Sequence, residues 1–134
     1  MDSNRLGNKS WSKVYELGVY KIDQQFEKLF VIFDELNELN GVNDPYANNQ
    51  LKKVLMRLED YSEQFASIDN SLIKTEDFGE VDLYVNNYQK LLTRVDDFIV
   101  QYSSNNPLLI EGMIDFLKKW LLTQLLQARK VFVG

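Results

Sequence analysis

The chain has 134 residues, of which 45% are hydrophobic, and this size and composition predict one domain around a single core. Its formal net charge of -5 argues against nucleic acid as a partner, because such binding depends on clustered Lys and Arg. The absence of cysteine excludes disulfides and zinc–thiolate sites, and the absence of histidine excludes serine hydrolase schemes that use an imidazole base.

The start of the chain is polar and offers little to bury. Residues 1–10 are predicted to form a flexible N-terminal arm, and residues 11–134 a bundle domain, with Trp11 anchoring the entry segment. No run approaches the roughly 20 apolar residues that a membrane span needs, and the first residues are unlike a secretion signal. We therefore expect no membrane span and a cytoplasmic location.

Amphipathic helices account for the first half of the chain. Apolar side chains recur at three- and four-residue spacing over residues 18–40, which predicts a helix that Gly41 ends. Asp44 and Pro45 are suited to cap and open a second helix, whose apolar stripe runs to Leu72.

Two more helices are predicted in the second half. Residues 75–79 break the pattern, and a third apolar stripe then covers residues 81–102. Asn106 is suited to cap a fourth helix and Pro107 to open it, with a stripe over residues 110–128. Four helices of similar length with short loops predict an all-α fold, an up-down-up-down antiparallel four-helix bundle.

Two local patterns lie in the first two helices. The run IDQQF ends at Phe26, and Tyr61, Phe65 and Asp69 follow at four-residue spacing. They resemble the hemerythrin family, in which Ile-Asp-x-Gln precedes a histidine, and Tyr, His and Glu stand four residues apart. On this resemblance Phe26 and Phe65 occupy histidine positions and Asp69 a glutamate position. If the second helix is shifted by one residue, Gln64 and Phe65 fall on the family's His-Phe pair, but the matches at Tyr61, Asp69 and Phe78 are lost.

The last two helices carry the remaining patterns. Tyr84 and Tyr88 stand where the family has two histidines four residues apart. A Trp-Leu pair begins at Trp120, and Gln124 and Arg129 follow where the family has histidine and aspartate. The resemblance covers about residues 11–130 and implies a hemerythrin-like bundle.

The family holds two irons with five histidines, a glutamate and an aspartate, and this chain has no histidine. A di-iron site needs neutral imidazoles and bridging carboxylates, so we expect no metal and no other cofactor. The positions that correspond to the family's ligands are Phe26, Phe65, Asp69, Tyr84, Tyr88, Gln124 and Arg129.

The resemblance also predicts how these side chains interact. The family's glutamate and aspartate both bridge the irons, so Asp69 and Arg129 are predicted to form a salt bridge in their place. The aromatic rings are expected to fill the volume of the metal site. The polar tips of Tyr84, Tyr88 and Gln124 are expected to bond to one another, or else to form the polar end of a small-molecule pocket.

The predicted function is that of a metal-free hemerythrin-like binding module rather than an enzyme. Its partner is an unknown protein or a small apolar ligand inside the bundle, and it could form oligomers. Two alternatives remain open: a residual oxygen- or iron-binding protein with an atypical Tyr/Asp site, and a purely structural bundle, natural or engineered. A filled centre favours action at the surface, whereas a cavity beside Tyr84 and Gln124 favours a small ligand.

Overall fold

The computed structural model describes residues 11–133. Within this range the stretches with apolar residues at helical spacing form four long helices. The predicted arm, residues 1–10, and the last residue lie outside that range. The helices are α1 (Tyr20–Leu39), α2 (Pro45–Phe65), α3 (Phe78–Ser103) and α4 (Leu109–Phe132), with 3-10 turns at Lys13–Tyr15 and Asn70–Leu72.

The helices close into one bundle. α1 packs on α2, α2 on α3, and α3 on α4, and α4 returns to α1. Short connections make consecutive helices antiparallel. The prediction of an all-α antiparallel four-helix bundle is therefore confirmed. None of the helices within residues 11–133 has the length and apolar character needed to cross a membrane.

The first helix begins at Tyr20 rather than Gly18. Gly18 has a φ of 84°, in the left-handed region where glycine has no steric penalty. The carboxylate of Asp23 accepts hydrogen bonds from the backbone N–H groups of Leu17 at 2.8 Å and Gly18 at 3.1 Å. Asp23 thus fixes the direction in which the entry segment joins α1, a role that the sequence did not reveal.

The entry segment packs on the side of the bundle. The ring of Trp11 lies 5.6 Å from that of Phe30, and the ring of Tyr15 stacks on Phe30 at 5.4 Å. These contacts place Trp11 where an anchor was predicted.

The second helix is shorter than predicted. It begins as expected, with the Asp44 carboxylate accepting from the backbone N–H of Ala47 at 2.7 Å and Pro45 in the first turn. It ends at Phe65 and does not continue to Leu72. The predicted continuation of this helix over residues 66–72 is therefore wrong.

A hydrogen-bonded turn that begins at Asp69 explains why α2 ends early. The Asp69 carboxylate accepts hydrogen bonds from the backbone N–H of Ser71 at 3.0 Å and from its hydroxyl at 2.7 Å. Side chains that bond nearby backbone groups compete with helix formation. Asp69 consequently caps the 3-10 turn Asn70–Leu72 instead of continuing the face of α2.

The starts of the last two helices also differ from prediction. Asp77 caps α3, so that helix begins at Phe78, inside the predicted break. The side-chain oxygen of Asn106 accepts from the backbone N–H of Leu108 at 3.0 Å, which caps a turn rather than α4. Pro107 lies within that turn, and the helix begins only after it.

Candidate functional site

The bundle interior contains most of the positions predicted to correspond to metal ligands. The exposed fractions of these side chains are 0% for Phe26, 5% for Phe65, 1% for Tyr84, 0% for Tyr88 and 0% for Gln124. They come from all four helices, so the fold brings them into one core. We call the four rings of Phe26, Phe65, Tyr84 and Tyr88 the aromatic plug.

The rings around the plug meet edge to face. Tyr88 lies 5.4 Å from Tyr84 and 6.4 Å from Phe65, with interplanar angles of 77° and 76°. Trp120 lies 5.1 Å from Tyr88, and Phe132 lies 5.1 Å from Tyr84. Each such pair contributes about 0.5–1.5 kcal/mol beyond its buried area. These contacts join α2, α3 and α4.

The buried amide of Gln124 has its own set of partners. Its Nε2 donates to the backbone carbonyl of Tyr84 at 2.9 Å, and its Oε1 accepts from Nδ2 of Asn87 at 2.6 Å. Trp120 Nε1 donates to the backbone carbonyl of Asn87 at 2.9 Å. The predicted network between Gln124 and the phenols is therefore wrong. Asn87 was missed, and the only signal was a polar residue on an otherwise apolar face of α3.

The two phenols remain without hydrogen bonds inside the described part of the chain. The hydroxyls of Tyr84 and Tyr88 are buried and close enough to influence each other, but neither has a partner in good hydrogen-bonding geometry. Burial raises the pKa of Tyr84 to about 12, an effect that Tyr88 partly offsets. Burial also raises the pKa of Tyr88 well above its usual value, and the nearby Tyr84 raises it further. Both phenols are protonated at neutral pH.

Asp69 lies at the surface and pairs with a lysine. Its carboxylate lies 3.6 Å from Nζ of Lys21, in addition to its two bonds to Ser71. The bond from the Ser71 hydroxyl is the main reason that the pKa of Asp69 lies below its usual value. The predicted Asp69–Arg129 salt bridge is wrong, because α2 ends before Asp69 and the chain turns there.

Arg129 lies on the outside of α4. It is exposed, and within residues 11–133 it forms no ion pair. It lines an apolar groove together with Tyr15, Leu17, Leu122, Leu125 and Leu126. Arg129 and Asp69 therefore belong to separate surface regions rather than to one bridge.

Comparison with known proteins adds a relative. No family model and no solved structure matches the chain. The chain is similar to a bacteriohemerythrin from Clostridium acetobutylicum, with 22% identity over 126 residues that cover 92% of this chain and 97% of the relative. The fold is hemerythrin-like.

The residues inside this hemerythrin-like bundle do not fit a di-iron centre. Phe26 and Phe65 have no lone pair to donate, and the phenols are held protonated. The Oε1 and Nε2 atoms of Gln124 each already have a hydrogen-bond partner in the protein. Across residues 11–133, no three His, Cys, Asp or Glu side chains are grouped so that they could hold a metal ion.

The cavity beside Tyr84 is very small. Its volume is about 10 Å³, and its walls include Gln25 and Tyr84. A cavity of this size holds about one water molecule. It therefore offers no room for the small apolar ligand that the sequence suggested.

The apolar groove on the outside of the hemerythrin-like bundle is larger. Its volume is about 320 Å³, and it lies between the entry segment and α4. Leu122 is 44% and Leu126 is 65% exposed, and both lie on the same face of α4 as Arg129. We call Leu122, Leu126 and Arg129 the α4 face. Exposed apolar side chains grouped beside a groove are typical of interaction sites.

Proposed function

We propose that this chain is a metal-free hemerythrin-like module whose former metal site has become core, and that it acts by binding a protein rather than by catalysis. The aromatic plug supports the first part, because Phe and protonated Tyr cannot replace imidazole ligands. The small volume beside Tyr84 supports action at the surface instead of in the interior.

The observation that carries the surface role is the α4 face. Leu122 and Leu126 leave apolar area in water beside a groove, and Arg129 has no carboxylate partner within residues 11–133. An amphipathic helix with an apolar stripe and an acidic residue matches both features, since such helices bind in apolar grooves by anchors at three- and four-residue spacing. The proposed partner is a protein that presents such a helix.

A photo-cross-linking residue at Thr123, beside the α4 face, identifies the partner in cells. The purified partner is then titrated against the wild-type chain and against the Leu122→Ser/Leu126→Ser double variant. We expect the variant to bind at least about tenfold more weakly, because anchors in the centre of an interface carry most of the binding free energy.

The matched control is Leu83→Ser, which changes a leucine on α3 that is 42% exposed and lies off the α4 face. Binding of the control should equal that of the wild type. Equal binding by all three proteins contradicts the proposal. If the cross-linked protein is a second copy of this chain, sedimentation velocity of the same three proteins shows which of them self-associate.

A further inference from the structure

One end of the interior contains buried polar atoms that lack hydrogen-bond partners among residues 11–133. They are Oε1 of Gln25 and the hydroxyl oxygens of Tyr84 and Tyr88. An unpartnered polar atom in the interior is costly, so each one in a folded protein requires an explanation. Gln25 and Tyr84 also line the same cavity of about 10 Å³.

We propose that this cavity is a binding site for one water molecule that bridges Tyr84 and Gln25. The Tyr84 hydroxyl donates to the water, and the water donates to Oε1 of Gln25. The site is independent of the proposed function at the α4 face, because the cavity lies at one end of the bundle interior and shares no lining residue with the groove beside that face.

The size and polarity of the cavity select water. A volume of about 10 Å³ is close to the minimum for one water molecule, and a buried water needs two to four polar partners. Tyr84 and Gln25 supply two of them, and both groups are neutral at neutral pH. Lys21 and Asp69 also line the cavity, and they neutralise each other at 3.6 Å. A neutral molecule that both donates and accepts hydrogen bonds is therefore preferred to an ion.

Tyr84→Phe tests the site through the direction in which it changes the equilibrium constant for unfolding. If the hydroxyl bonds to a water, its removal destabilises the fold, and the equilibrium constant for unfolding rises roughly fivefold. If the hydroxyl has no partner, its removal relieves a buried polar group and the constant falls. Urea denaturation followed by circular dichroism measures the constant.

Tyr88→Phe is the matched control. Tyr88 is equally buried and its hydroxyl also lacks a partner in the described part of the chain, but it does not line the cavity. Its variant should be neutral or more stable than the wild type. A fall in the unfolding constant for Tyr84→Phe, as for the control, contradicts the water site.

A double-mutant cycle tests the bridge itself. Gln25→Met and Tyr84→Phe should be non-additive, because either change alone removes one partner of the same water, whereas Gln25→Met and Tyr88→Phe should be additive. Additive effects of Gln25→Met and Tyr84→Phe contradict the bridge. A water–hydroxyl cross-peak to Tyr84 in NMR spectra of the wild-type chain provides an independent readout that does not depend on stability.

Discussion

The aromatic plug and the α4 face use similar apolar material in opposite ways. The plug buries its rings almost completely, and edge-to-face contacts of its rings with one another and with Trp120 and Phe132 join α2, α3 and α4. The α4 face leaves Leu122 and Leu126 substantially exposed beside a groove. The comparison indicates that the interior of this bundle contributes to stability, whereas the α4 face leaves apolar side chains in water, as the proposed binding role requires.

The largest expected change in the free energy of unfolding comes from removing one ring of the aromatic plug. Phe26→Ala removes a fully buried ring and should lower the free energy of unfolding by about 3–5 kcal/mol. Leu126→Ala, at a position that is 65% exposed, should change it by no more than about 0.5 kcal/mol. Urea denaturation of both variants checks the contrast, and equal losses would remove the distinction between the two regions.

The next effect concerns the Gln124 amide. Gln124→Leu leaves the buried Asn87 side-chain amide without its partner and removes the second hydrogen bond to the Tyr84 carbonyl, which keeps its bond within α3, so it should lower the free energy of unfolding by about 1–3 kcal/mol. Gln24→Leu changes an exposed amide on α1 and is the matched control, with little expected effect. A neutral Gln124→Leu variant would show that these bonds do not stabilise the plug.

The phenols make stability sensitive to alkaline pH. The folded chain retains the proton of Tyr84 up to a pKa of about 12, whereas the usual value is 10.0, so above pH 10.0 the folded state binds more protons than the unfolded state. The free energy of unfolding should therefore fall as pH rises above 10.0, by on the order of 1 kcal/mol per pH unit for each such phenol.

Thermal unfolding at several pH values, with tyrosinate absorbance as a second readout, measures this fall. The contribution is fully present below pH 10.0 and is lost as pH rises through the folded pKa. The double variant Tyr84→Phe/Tyr88→Phe should flatten the profile. An unchanged profile in that variant contradicts the assignment to the plug.

The smallest effect is expected for the surface carboxylate. A double-mutant cycle between Lys21 and Asp69 should show a weak coupling that disappears at high salt, because exposed pairs are screened. The same cycle between Asp69 and Arg129 should show none. A coupling between Asp69 and Arg129 that exceeds the one with Lys21 would restore the bridge that the resemblance predicted.

Much of the fold could be predicted because helix periodicity is local. The apolar spacing in α1 and α3 directly selects the residues that become core, including Phe26 and Tyr88. Helix ends were less accessible, because Asp69 and Asn106 bond to nearby backbone N–H groups and start turns of their own.

The candidate site was predicted only in part, for a different reason. Burial of the plug follows from helix faces, but the pairing of Asn87 with Gln124 joins residues that are 37 positions apart and depends on how α3 and α4 face each other. The predicted Asp69–Arg129 bridge assumed that α2 continues to Asp69. Because α2 ends at Phe65, Asp69 matches the family's residue pattern but does not lie on the helix face that the pattern assumes.

The central claim is that the position of the di-iron site in the hemerythrin family is occupied here by an aromatic core that does not bind iron. The most direct test is the iron content of the purified chain after anaerobic incubation with Fe(II) and removal of unbound metal, measured by plasma mass spectrometry together with the visible spectrum in air. Iron at the level of a metal-free control protein and no visible absorption band are the predicted results. About two irons per chain, with a band that depends on oxygen, would contradict the claim.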